Sequence, residues 1–316
     1  MAMNIRQFAN ILASQIHFYN RNLNMNSMTE LNLREALALT QILIGGGQYS
    51  FQWNEMRQQL EELYSGHCSY KYSKKESNWN IVRGRICNET VLFDNVSELS
   101  NRKESDIKDF GRCHKKGVSI FYGANNIDTV LSELKPDIGD LVHMAVAKPK
   151  IDIEVILTVI GEIDHVRRYG DALLGDKETT LEIMEMLNIE KENDLKRILL
   201  DAFMSELFIR PANQQRDYKA TSALSDVILF QKNSNDEFHV DGFAYPSVAH
   251  RGGINFAIRG SAFEQKMEIY ECMTFEITEY LGYGLYGKHL KARSKAIDIA
   301  GKIEWCAVKK TSQNAP

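Results

Sequence analysis

Five cysteines stand in the 316 residues, Cys68, Cys87, Cys113, Cys272 and Cys306, and no two have CxxC spacing. That excludes a zinc ribbon, and an odd number argues against a disulfide framework. The expectation is reduced thiols in a cytosolic protein. The first residues, Met1-Ala2-Met3-Asn4-Ile5-Arg6, contain no uninterrupted apolar run of signal-peptide length. No window approaches the roughly 18 apolar residues of a membrane span. A cytoplasmic protein with no membrane partner is therefore expected. An excess of one charge is also missing, because 38 basic residues face 42 acidic ones for a net charge of -4. Without a global basic field, nucleic acid is not expected as a partner. The eight histidines show no metal-ligand spacing, so no metal is expected. Gly45-Gly46-Gly47 is followed by no Gly-Lys-Ser/Thr and is not a phosphate loop. Ser247 lies in no Gly-x-Ser-x-Gly elbow and is not read as a nucleophile. There is no internal repeat and no low-complexity segment.

What is present suits one large globular domain or two modest ones, with 44% hydrophobic and 25% charged residues. Residues 1 to about 70 read as helical, with a capping box at Ser27-Met28-Thr29-Glu30 and a helix over Leu31 to Ile44, stopped by Gly45. A second helix from about Phe51 to Tyr64 carries Trp53, Met56, Leu60, Leu63 and Tyr64 on one face. Residues 1–75 thus read as an added helical domain, ending in a polar linker at Ser69 to Asn78, and 76–316 as the main domain. There, strands are predicted at Trp79 to Arg83, Gly117 to Tyr122, Leu141 to Val146, Ile151 to Ile163, Asp241 to Ser247 and Ile254 to Ala257. A long loop is predicted at Asp94 to Lys108, and a helix capped by Asn126 at Asn125 to Leu134. A helical insertion falls around 176–230, and strand-like runs fill Met267 to Val308.

Several residues have the right chemistry for a nucleotide site, each with a plainer alternative. Tyr122, at a strand end, could stack on a flat ring, or be a core aromatic. Glu133 follows on the next helix, where a carboxylate could hold a ribose hydroxyl and meet the charge of a breaking glycosidic bond, or be a solvated helix residue. Arg83 and Arg85 flank Gly84 in a strand, so both leave one face and suit a pyrophosphate, or are surface arginines beside acidic neighbours. Gly111-Arg112 marks a turn. Ser247, after Tyr245-Pro246, could bond a ribose or carboxamide, or be an ordinary turn serine. Asn255 and Arg251 are placed near the same cleft, and His114 and His250 are read as bystanders.

Taken in order, Arg83 or Arg85, Gly111-Arg112, Tyr122, Glu133 and Asp241-Gly242-Phe243-Ala244-Tyr245-Pro246-Ser247 resemble the motif set of the RES domain, over about Trp79 to Ala257. The turn departs from the family pattern, reading Phe110-Gly111-Arg112-Cys113-His114 where Gly-Gly-Arg followed by Trp/Phe-Asn is usual. The resemblance implies an α+β fold like that of ADP-ribosyltransferase toxins, with NAD bound as substrate in a cleft between small packed sheets. It implies Glu133 and Arg83 as catalytic residues, and Arg83, Arg85, Arg112, Tyr122, Ser247 and Asn255 as NAD-binding ones. The implied activity is cleavage of the nicotinamide–ribose bond by hydrolysis or phosphorolysis, in a bacterial toxin or defence effector. ADP-ribose transfer to a protein, or a non-catalytic nucleotide- or partner-binding module, is the alternative. An antitoxin or regulatory protein, or a second copy of the chain, would be the partner.

Overall fold

A computed structural model describes residues 31–45, 50–65, 70–74, 79–87, 92–187, 191–211, 217–231 and 240–307. The capping box expected at residues 27–30 lies outside them. The first described helix, α1 (Leu33–Ile44), is capped by Asn32 instead, whose side chain accepts from the Glu35 amide while Glu35 accepts from the Asn32 amide, both at 3.0 Å. The next is α2 (Trp53–Ser65). Where a linker was expected, β1 (Lys71–Lys74) pairs with β5 (Val155–Val159). Its polar sequence suits an edge strand, where little side-chain burial is demanded. The remaining strands are β2 (Ile81–Cys87), β3 (Ile120–Ala124), β4 (Leu141–Pro149), β6 (Gly242–Pro246), β7 (Ile254–Arg259), β8 (Met267–Gly282), β9 (Leu285–Ile297) and β10 (Ile303–Ala307). The helices are α3 (Ile127–Leu134), α4 (Glu162–Tyr169), α5 (Lys177–Leu187), α6 (Glu192–Ile209), α7 (Tyr218–Phe230) and α8 (Gly260–Lys266). The strand expected to reach Ile163 stops at Val159, because Gly161 turns in the left-handed region and α4 begins at Glu162. The long loop at 94–108 contains two short 3₁₀ turns, Val96–Glu98 and Glu104–Asp106.

The fold is α+β around a mixed ten-stranded sheet of order β1-β5-β6-β7-β3-β2-β4-β8-β9-β10. Its neighbours are antiparallel except β5 and β6. The two small sheets implied by the motif resemblance are halves of this one sheet, joined by a thin seam. β2 and β3 share a single register pair, Val82 with Ala124, whereas β2 runs alongside β4 over its whole length.

Alternation along the strands sorts the core into two sides. On one side, Ile120, Phe243, Tyr245 and Ala257 pack under a helical block. Leu39, Leu43, Met56, Leu60 and Leu63 of α1 and α2 join Leu200, Phe203, Leu207 and Leu224 of α6 and α7 in that same cluster. The apolar face foreseen in the N-terminal segment is thus buried against the helical insertion. Arg57 pairs with Asp226 at 2.7 Å, and the Trp53 indole donates to Ser222 at 3.1 Å. On the same side of the other half-sheet, α3 covers Val82, Val142, Met144 and Ile277. Phe121, Phe256, Ile258 and Phe263 fill the opposite side. No described helix is long and apolar enough to cross a membrane.

Candidate active site

The seam between the half-sheets opens a cavity of about 340 Å³, bounded by β2, β3, α3, Arg112 and the ends of β6 and β7. Arg83, Arg112, Tyr122, Glu133, Tyr245 and Asn255 line it. The volume is at the low end of small-molecule sites. Two glycines allow close packing at the seam. A Cβ at Gly84 would overlap Val130 and Leu134 of α3, so glycine lets that helix lie against β2. A Cβ at Gly123 would overlap Ile81, across the seam.

Glu133 is brought to the cavity wall by α3, which starts at the Asn126 cap, its side chain accepting from the Thr129 amide at 2.8 Å. The helix ends one residue after Glu133, where Lys135 adopts a left-handed conformation with φ 50. The Ser247 hydroxyl and the Asn255 amide both donate to Glu133 Oε1 at 2.6 Å. Ser247 Oγ itself accepts from the amides of Ala249 at 3.2 Å and His250 at 3.1 Å. With its lone pairs occupied, its single proton points at the carboxylate. Two donors therefore fix one carboxylate oxygen, and Oε2 has no hydrogen-bond partner among the described residues. Ser247 and Asn255 are buried, so they are rigid supports.

Tyr122 lines the cavity while its hydroxyl is held behind. It accepts from the Cys113 amide at 3.0 Å and lies 2.6 Å from His114 Nδ1. Burial pushes the phenol well above its ordinary value, and pushes His114 down, with Arg102 adding to the latter. A neutral imidazole accepting the tyrosine proton satisfies both groups. His114, read as a bystander, thus anchors Tyr122, and Gly111 makes room, since a Cβ there would meet the imidazole ring. His250 is a support as well, through its amide on Ser247 and its ring nitrogen 2.8 Å from Thr129 Oγ1.

The arginines separate. Arg83 lines the cavity, is half-buried, donates to the Tyr122 carbonyl at 2.9 Å across the parted strands, and lies over the Phe121 ring at 5.4 Å. Burial, then Arg85 and Arg102, push it down to about 10, so it stays charged at neutral pH. Arg85 is exposed, does not line the cavity, and donates to the Glu98 carbonyl at 3.2 Å. Arg112 lines the cavity but bonds the Phe208 carbonyl at 2.6 Å and the Arg210 carbonyl at 3.3 Å, closing the C-terminal end of α6. Arg251 is exposed and not on the cavity wall. Asp241 is structural, with Lys266 at 2.7 Å, Arg259 at 3.4 Å and the Ile156 amide at 2.8 Å around its carboxylate. No group of metal-ligating side chains occurs among the described residues.

A concave site at the seam of a mixed sheet, with a held carboxylate, a half-buried arginine and an anchored tyrosine, marks this α+β protein. The chain belongs to the RES domain family, since the family model described as RES domain matches residues 96–274, more than half of the 316. That range holds Arg112, Tyr122, Glu133, Ser247 and Asn255, while Arg83 and Arg85 precede it. No curated protein and no solved structure matches the chain.

Proposed function

We propose that the chain cleaves the nicotinamide–ribose bond of NAD, with Glu133 as the catalytic carboxylate. The observation that carries this reading is the hold on Glu133, whose Oε1 takes two buried donors while Oε2 is left for the cavity. When the bond from ribose C1′ to the pyridinium nitrogen breaks, its electron pair leaves with nicotinamide. The ribose becomes oxocarbenium-like, and a fixed carboxylate beside it stabilises the positive charge without having to reorganise. Water then adds at C1′ and gives up a proton, producing ADP-ribose; inorganic phosphate in its place would give the 1-phosphate. Tyr122 offers an aromatic face to the nicotinamide ring, and Arg83 retains unused donors for the pyrophosphate. In this reading Ser247 and Asn255 act through Glu133, and NAD is consumed as substrate by a toxin or defence effector that a partner restrains. The test is nicotinamide release when micromolar protein is mixed with NAD, with and without phosphate. Release that depends on Glu133 is expected. NAD left unchanged over hours under both conditions would overturn the reading.

A further inference from the structure

On the other side of the sheet from the helical block, a larger groove of about 1590 Å³ runs from β2 along the loop of residues 95–103 to the turn at 297–301. It meets the cavity at Arg83 and Gly84, which border both. Arg85 and Arg102 line only the groove.

Arg83, Arg85 and Arg102 are held in the same way. Among the described residues, none pairs with a carboxylate. Each donates to a backbone carbonyl: Arg83 to Tyr122 at 2.9 Å, Arg85 to Glu98 at 3.2 Å, and Arg102 to Asp106 at 3.2 Å. A guanidinium has five N–H donors, so most of their capacity is unspent. The five carboxylates on the groove wall have partners of their own, and Asp106 accepts from the Ser105 hydroxyl at 3.0 Å. Glu98 accepts from the Asp94 amide at 3.1 Å, Glu264 from Asn101 at 3.0 Å, and Asp298 from the Ala300 amide at 2.9 Å. Glu268 pairs with Lys148 at 3.5 Å. The positive groups also act on one another, since Arg85 and Arg102 both add to the burial that lowers the Arg83 pKa. A bound polyanion would relieve that repulsion.

We infer that Arg85 and Arg102 form a second anion subsite, which takes the 2′-phosphate on the adenosine ribose of NADP. The inference rests on placing the nicotinamide end in the cavity. The pyrophosphate then falls at Arg83, the residue common to both spaces, and the adenosine half extends into the groove. One guanidinium fork suffices for a pyrophosphate, and two more beyond it match a dianionic monoester, which arginine binds bidentately.

Calorimetry on the full chain tests this with adenosine 2′,5′-bisphosphate against AMP, and NADP against NAD. Arg85 and Arg102 are both exposed, so alanine at either leaves the core intact. The wild-type protein should prefer the 2′-phosphorylated member of each pair by about tenfold or more. In Arg102→Ala and Arg85→Ala that ratio should fall toward one. Equal affinities in the wild type, no binding of either 2′-phosphorylated probe, or a preference that survives both substitutions would overturn the subsite. A bisphosphate preference without NAD cleavage would leave the subsite standing and remove the catalytic reading. NAD cleavage without any preference would do the reverse.

Discussion

At the scale of single residues, the site depends on how each side chain is held. Glu133 is exposed at its helix end, yet two buried donors fix one of its oxygens. Glu133→Gln keeps an acceptor for Ser247 and Asn255 but removes the negative charge. It should fold normally, still bind NAD, and release nicotinamide about 10²–10⁴-fold more slowly, the range typical of a lost catalytic group. Single-turnover nicotinamide release with parallel calorimetry checks this, and a near-wild-type rate would show Glu133 to be a spectator. The two strand arginines should differ. Arg83 borders the cavity and Arg85 does not, so Arg83→Ala should weaken NAD binding by about tenfold or more, the effect of a lost charge-assisted contact. Arg85→Ala should weaken it less, and the reverse order in calorimetry would exchange their roles.

At the scale of elements, the placement of α3 decides the site. That helix carries Glu133, and it reaches β2 only because Gly84 has no side chain. Gly84→Ala should press on Val130 and Leu134 and push the helix outward. The expected cost is about 1–3 kcal/mol of stability, as for other overpacked sites. A loss of activity of about a hundredfold should accompany it, because a displacement near 1 Å can cost that much. Thermal unfolding and nicotinamide release on the same preparation test the pair of effects; unchanged activity with lowered stability would mean the helix position is not what matters. The N-terminal helices are another such element. Met56, Leu60 and Leu63 are buried in the cluster that reaches the sheet through α6 and α7. β1 adds an edge to the sheet itself. Deleting residues 1–75 should therefore expose the apolar side of α6 and α7 and yield insoluble protein. A soluble truncation with unchanged turnover would show the segment to be dispensable.

At the scale of the whole molecule, the sheet continues past the site into β8, β9 and β10, and its interior carries a titrating group. His143 of β4 is fully buried, bonded to Thr274 at 2.8 Å, with its ring tilted against Phe93 at 4.4 Å. Burial, with Arg85 adding to it, lowers its pKa from 6.5 to about 4. In that window the unfolded chain binds a proton that the native protein refuses. Its contribution to stability is therefore complete above pH 6.5 and is lost as pH falls toward 4. His143→Gln should make the decline of stability between those values shallower by up to one proton. Urea titrations at several pH values read this directly, and parallel curves for the two proteins would contradict it.

The sequence by itself determined the local elements. The apolar face of Met56, Leu60 and Leu63 and the Asn126 cap lie within a few turns of chain, where spacing alone reveals a buried face or a capped helix end. The ordered arginine, tyrosine, glutamate and serine motifs were legible for the same reason. The tertiary structure alone decided which of these meet. β1 has four residues and no apolar pattern, so only its pairing with β5 makes it a strand. The single-pair seam, and with it the cavity, follows from two strands at least 33 residues apart that part beyond the Val82–Ala124 pair. Ser247 and Asn255 reach Glu133 across 114 and 122 residues, and His114 reaches Tyr122 through a turn whose sequence departs from the family pattern. Such contacts are set by chain closure around a shared core. They leave no periodic trace in the residues that make them, and so Arg102, on an exposed loop, gave no signal at all.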